Sequence, residues 1–102
     1  MQYFYLYLFL MAIETTIFTF KISVQFEDWV RGFDSEGVGL MHRSSSVTPI
    51  YRGISKDDPQ SVVVIHQAEE GFAKAMFESF RAPIEASGHI WDSTVITSYL
   101  AD

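Results

Sequence analysis

Four stretches of two-residue period and two of helical period follow one another in the order β-α-β-β-α-β. Turn residues alone separate the second and third strands, which makes those two a hairpin. Together these observations predict an α+β fold of the ferredoxin-like type, with a four-stranded antiparallel sheet whose helices cover one face. A chain of 102 residues that is 48% hydrophobic, with nine phenylalanines, has enough apolar mass for one core. The domain is expected over residues 13–102.

The first strand is "IETTIFTFKISV", residues 13–24. Phe18, Phe20, Ile22 and Val24 fall on one side, and Ile17, Thr19, Lys21 and Ser23 on the other. In "QFEDWVRGF", Phe26, Trp29, Val30 and Phe33 keep helical spacing, and Glu27 and Asp28 suit the positive N-terminal end. Gly32, Gly37 and Gly39 weaken this helix, so it is expected to break, resume through "GLMHRSS" and end near Ser46. "TPIYRGIS", residues 48–55, is the second strand, "KDDP" the turn and "QSVVVIHQ" the third strand. The second helix is expected over residues 68–87. Glu69 and Glu70 would occupy its first turn, Phe72, Met76, Phe77, Phe80 and Ile84 its apolar stripe, and Pro83 would kink or loosen its last turn. Gly88 stops it, and "WDSTVITSYL" is the fourth strand.

The ten residues before Met11, "MQYFYLYLFL", carry no charge. The apolar run is about 13 residues, short of the ~20 a spanning helix needs, and it lacks the basic start and small-residue cleavage site of a signal peptide. Residues 1–12 are expected to be an apolar extension outside the fold, and no membrane span is expected.

Net charge is −6, and only seven lysines and arginines are present, scattered along the chain. Nucleic acid is therefore not an expected partner, because phosphate neutralisation needs clustered cations. The lack of cysteine excludes disulfides and thiolate chemistry and fits a cytoplasmic location.

"ETTIFTFKISV", "YRGISKDDPQSVVVIHQAEEG" and "EASGHIWDSTVI" resemble a family of short uncharacterised proteins, mainly of photosynthetic bacteria, classed as a domain of unknown function. The likeness runs from Ile13 to about Tyr99, with "VRGFDSEGVGLMHRSSSV" its least familiar part. More distantly, the "DDP" hairpin followed by a strand and an acidic helix start is similar to the dimeric α+β-barrel superfamily. That group includes cofactor-free monooxygenases, small isomerases and decarboxylases, haem-degrading enzymes and stress-responsive proteins. The resemblance implies a homodimer in which two open sheets enclose a cavity. Ile17, Ile50, Ile54, Val62 and Val64 are assigned to that open face.

With strand order 4-1-3-2, and with strand one taken as parallel to strand three, His66, Lys21 and Asp92 are expected to meet at one mouth of the open face. Arg52 lies farther off on strand two. His66 would be the base or hydrogen-bonding group, Asp92 would orient it, and Lys21 or Arg52 would hold an anionic group of a small-molecule ligand. The bland alternative makes His66 a structural strand-end residue and Lys21–Asp92 a surface ion pair. His89 is read as a helix-end residue and His42 as a residue of the weak helix. No Zn-binding, phosphate-loop or nucleophile-elbow spacing is present, so no metal and no cofactor are expected. Two functions follow: a dimeric ligand- or partner-binding module, or a cofactor-independent enzyme of oxygenase, isomerase or decarboxylase type.

Overall fold

The computed structural model of the protein describes residues 12–102. The expected N-terminal extension therefore lies, but for Ala12, outside the described residues. The elements are β1 (Ile13–Ile22), α1 (Phe26–Phe33), α2 (Glu36–Ser44), β2 (Thr48–Ile54), β3 (Ser61–Glu69), α3 (Phe72–Ser79), α4 (Arg81–Ala86) and β4 (His89–Leu100). The strands form one sheet in the order β2-β3-β1-β4, the ferredoxin-like arrangement.

Every neighbouring pair is antiparallel. This corrects the expected parallel pairing of β1 with β3. The α1–α2 crossover returns β2 in the direction of β1, and the hairpin then reverses the chain, so β3 must oppose β1. Thr16, Phe18 and Phe20 lie across from His66, Val64 and Val62, while Lys21 lies across from Ser61.

Both helical passages come in two pieces. The first breaks as the glycines suggest. Asp34 ends α1, and Ser35 opens α2 by accepting a hydrogen bond from the Val38 N–H. The second passage starts later than expected, because β3 runs on to Glu69 and Gly71 (φ 87) forms the entry to α3. Glu69 and Glu70 are thus outside the helix. The chain breaks at Phe80, three residues before Pro83. Proline has no N–H and its ring crowds the carbonyl four residues earlier, so it belongs in a first turn, and Pro83 is the third residue of α4.

The core lies between the helices and one sheet face. Phe18, Phe20, Ile22, Val62 and Val64 from the sheet meet Trp29, Ala73, Met76 and Phe77 from the helices. Val62 and Val64 therefore line the core, not the open face expected for them. On β3 the helix-covered face is that of Val62 and Val64, not that of Val63 and Ile65. Ile54, across from Val62, shares the helix side at the sheet edge. The open face carries Ile17, Val63 and Ile65, half-buried, with Tyr51, Val95 and Tyr99 each more than half exposed.

Gly88 joins α4 to β4 and sets where β4 begins. Its φ of 102 is left-handed, its N–H bonds Glu85 O, and its carbonyl accepts from the Ser23 N–H. A Cβ there would lie 2.7 Å from a Val24 methyl. Gly88→Ala should therefore cost about 1–3 kcal/mol in chemical denaturation, from the conformation alone. Unchanged stability would show that the corner relaxes without strain.

Candidate functional site

A cavity of about 80 Å³ lies between the helix layer and the sheet. Phe18, Phe20 and Val64 form its floor, and Trp29, Phe33 and Phe77 are among its helical walls. Its polar side chains are few, and three of them are histidines: His42, His66 and His89.

Each histidine is carried inward by the period of its own element. On α2, Val38, Met41 and His42 share one flank, so His42 lies with the apolar stripe. The chain then leaves α2 through Ser46 (φ 57), and the Val47 N–H returns to His42 O at 3.0 Å, which holds this last turn closed. On β3, Val62, Val64 and His66 alternate onto the helix face. On β4, His89 lies across from Ile22 at the start of the strand. All three rings are 5–6% exposed.

His42 and His66 meet edge to face, with 3.2 Å between their Nε2 atoms. His42 Nδ1 donates to Val38 O at 2.9 Å. Phe18 packs edge-on against the His66 ring at 5.2 Å. His89 stacks on Phe20 at 3.9 Å between centroids, and its Nε2 lies 2.7 Å from Thr94 Oγ1. The Thr94 hydroxyl donates to Trp91 O, so His89 Nε2 carries the proton and His89 Nδ1 is left as an acceptor. Thr94 reaches this position because residues 91–94 bulge out opposite Phe20, between the Thr19–Val95 and Lys21–Ile90 pairs.

Burial disfavours the charged form of all three rings. It pushes His66 down to about 3, with His42 acting in the same direction. It pushes His89 down to about 4 against a small opposing pull from Glu85. His42 is lowered by burial and partly restored by its bond to Val38. Neutral imidazoles in an apolar space can accept or donate hydrogen bonds, but the burial that keeps them uncharged makes them weak bases, and they cannot bind anions by charge. Among the described residues, no group of three or more metal-ligating side chains converges.

The expected site does not assemble as drawn. His66 faces the helices, not the open sheet face, because its neighbours at alternate positions, Val62 and Val64, are core. Lys21 and Asp92 do lie toward one end of the sheet. Lys21, however, is opposite Ser61, five residues up β1 from the Thr16–His66 pair, and it bonds Asp58 and Ser61. The Lys21 hydrogen bond, followed by those from Gln60 and Ser61, lowers the Asp58 carboxyl to about 2. Asp92 is exposed on the β4 bulge. Arg52 sits on the helix side of β2, bonded to Asp34 and lying 5.6 Å over Phe33, and so flanks the cavity rather than entering it. Of the residues read from sequence as belonging to the helix regions, His42 contacts His66 and His89 lines the same cavity. The available signals were the spacing of His42 from Val38 and the alternation of His89 with Trp91.

Residues 13–101 match a family described as a domain of unknown function (DUF3764). No curated protein matches the sequence. Among solved structures, the chain is similar to a Caulobacter crescentus protein provisionally assigned as an antibiotic biosynthesis monooxygenase. The TM-score is 0.60 at 14% identity, over 97% of this chain and 98% of that one. It is also similar to SnoaB, a cofactor-independent oxygenase from Streptomyces nogalater, with TM-score 0.57 and 12% identity over 88% and 91%. A Nitrosomonas europaea protein with the same provisional assignment gives TM-score 0.54 and 16% identity over 89% and 91%. At such identities the likeness establishes the fold. No helix among the described residues is long and apolar enough to cross a membrane.

The histidines predict an acid-sensitive fold. Unfolded imidazoles titrate near their ordinary value of 6.5, whereas the folded ones are lowered, His66 and His89 well below it. The unfolded state thus binds the extra protons, and the stabilisation is complete above the unfolded value and lost as pH falls through 6.5 toward 4. For His66 and His89 the slope approaches roughly 1.4 kcal/mol per pH unit each below 6.5, and His42 acts in the same direction. Denaturant melts between pH 7 and 5, above the range where Asp34 and Asp58 titrate, should show this fall. A flat profile would mean that the rings are hydrated in solution.

Proposed function

This chain belongs to the DUF3764 family, and we propose that it binds a small aromatic molecule in the cavity between sheet and helices. The observation that carries this reading is an apolar, aromatic-walled space holding neutral histidines on the one face of the sheet that the fold itself covers. The cavity of about 80 Å³ is smaller than the roughly 150 Å³ that admits benzene in an engineered core. A one-ring ligand therefore enters by parting the short helical pieces, which are six to nine residues each.

A second reading makes the same molecule a substrate for cofactor-independent oxygenation. It is supported by the fold shared with proteins described as a cofactor-independent oxygenase and as antibiotic biosynthesis monooxygenases. Gly32 supplies the test, since it lines the cavity and a Cβ there meets only Ser87 Cβ, at 3.9 Å. One-ring aromatics at millimolar concentration should raise the melting temperature of the protein but not of Gly32→Leu, whose side chain fills the space. If none stabilises either protein, the binding reading fails. Dissolved-oxygen uptake in the same mixtures separates ligand from substrate.

The open sheet face supports assembly as a homodimer. Tyr51, Val95 and Tyr99 are 57–60% exposed there beside half-buried Ile17, Val63 and Ile65, and a second copy of this face would cover them. Val95→Asp should shift the protein from dimer to monomer in light scattering without altering its far-UV spectrum. Wild-type protein running as a single 11.7 kDa species at micromolar concentration would refute the dimer. Val64→Asp, by contrast, would strike the core.

A further inference from the structure

The hydrogen bonds of the buried histidine pair determine its polarity. Val38 O can only accept, so His42 Nδ1 carries a proton. A neutral imidazole has one N–H, which leaves His42 Nε2 bare. His66 Nε2, 3.2 Å away, must then be the donor. That consumes the single proton of His66 and leaves its Nδ1 a lone pair. Among the described residues, His66 Nδ1 is the one buried side-chain nitrogen or oxygen with no partner. Such an orphan is costly in an apolar interior.

We infer that His66 Nδ1 is the polar anchor of the cavity, accepting a hydrogen bond from a hydroxyl or N–H of an otherwise apolar ligand, with His42 as the positioning residue that holds the tautomer. This rests on the cavity-binding reading and deepens it by naming the ligand class, a neutral aromatic hydrogen-bond donor such as a phenol. A ligand able only to accept would set lone pair against lone pair. An anion would meet the same lone pair in a space with no cation among the lining residues. His89 Nδ1, also left as an acceptor, adds to the preference for donors.

Ring-nitrogen NMR on the wild-type protein at neutral pH tests the tautomers directly. His66 should be protonated at Nε2 and His42 at Nδ1; the opposite assignment overturns the inference. Phenol and fluorobenzene, alike in shape, then probe the anchor. Phenol should bind about tenfold tighter, the worth of one net hydrogen bond, and should move the His66 Nδ1 resonance. His42→Phe frees the His66 tautomer and should abolish that preference while fluorobenzene still binds. Equal affinities with an unmoved Nδ1 signal would overturn the anchor and leave the cavity reading standing, whereas failure of both probes would remove the cavity reading and the anchor with it. Stoichiometric zinc binding that shifts both Nε2 resonances would also overturn it, since the pair would then be metal ligands.

Discussion

The register between β1 and β3 governs the rest of the molecule. Pairing Phe18 with Val64 and Phe20 with Val62 places four apolar side chains on one face. Each is worth about 1.5–3 kcal/mol when buried. The two-residue period of a strand then leaves no freedom for the next position in each series, and Thr16 and His66 are drawn into the same layer. One imidazole is costly to bury, but the cost is smaller than that of turning four apolar side chains to solvent. The histidine follows its neighbours inward, and the fold must find it a partner.

His42 is that partner, and two helix features place it. The Ser35 cap starts α2 at a fixed residue, and the left-handed Ser46 ends it, so the turn that carries His42 is held at both ends. His89 is supported in a different way, by a bulge in β4 that brings Thr94 beneath its Nε2. Burial keeps all three rings neutral. The cavity is therefore an uncharged space whose polar groups are directional. The ion pairs of the protein, such as Lys21–Asp58 and Arg81–Glu85, stand outside it on exposed surface, where they contribute little to stability.

The two sheet faces divide the labour. The helix face holds the core and the cavity, and the opposite face remains apolar in part without cover from any described element. A catalytic or binding role can thus reside within one subunit even if assembly uses the other face. This differs from the arrangement implied by the α+β-barrel resemblance, in which the cavity lies between facing sheets.

Element order, the broken first helix, the hairpin and a four-stranded sheet were legible in the sequence, because period and turn chemistry are local, whereas the direction of β3 against β1 is a correction from the structure. The sequence also singled out His66 as unusual at the end of an apolar run. Tertiary structure decided which side of the sheet that run would face. Alternation specifies two faces without saying which is covered, and on β3 both faces are apolar: Val62 and Val64 on one, Val63 and Ile65 on the other. Only the register against Phe18 and Phe20 breaks that tie. The gathering of His42, His66 and His89 around one cavity was likewise invisible along the chain, since it draws on a helix and two strands and on positions separated by 23 to 47 residues. It arises because each residue shares a face with its own apolar neighbours, and the hydrophobic packing of those neighbours collects the histidines around one cavity.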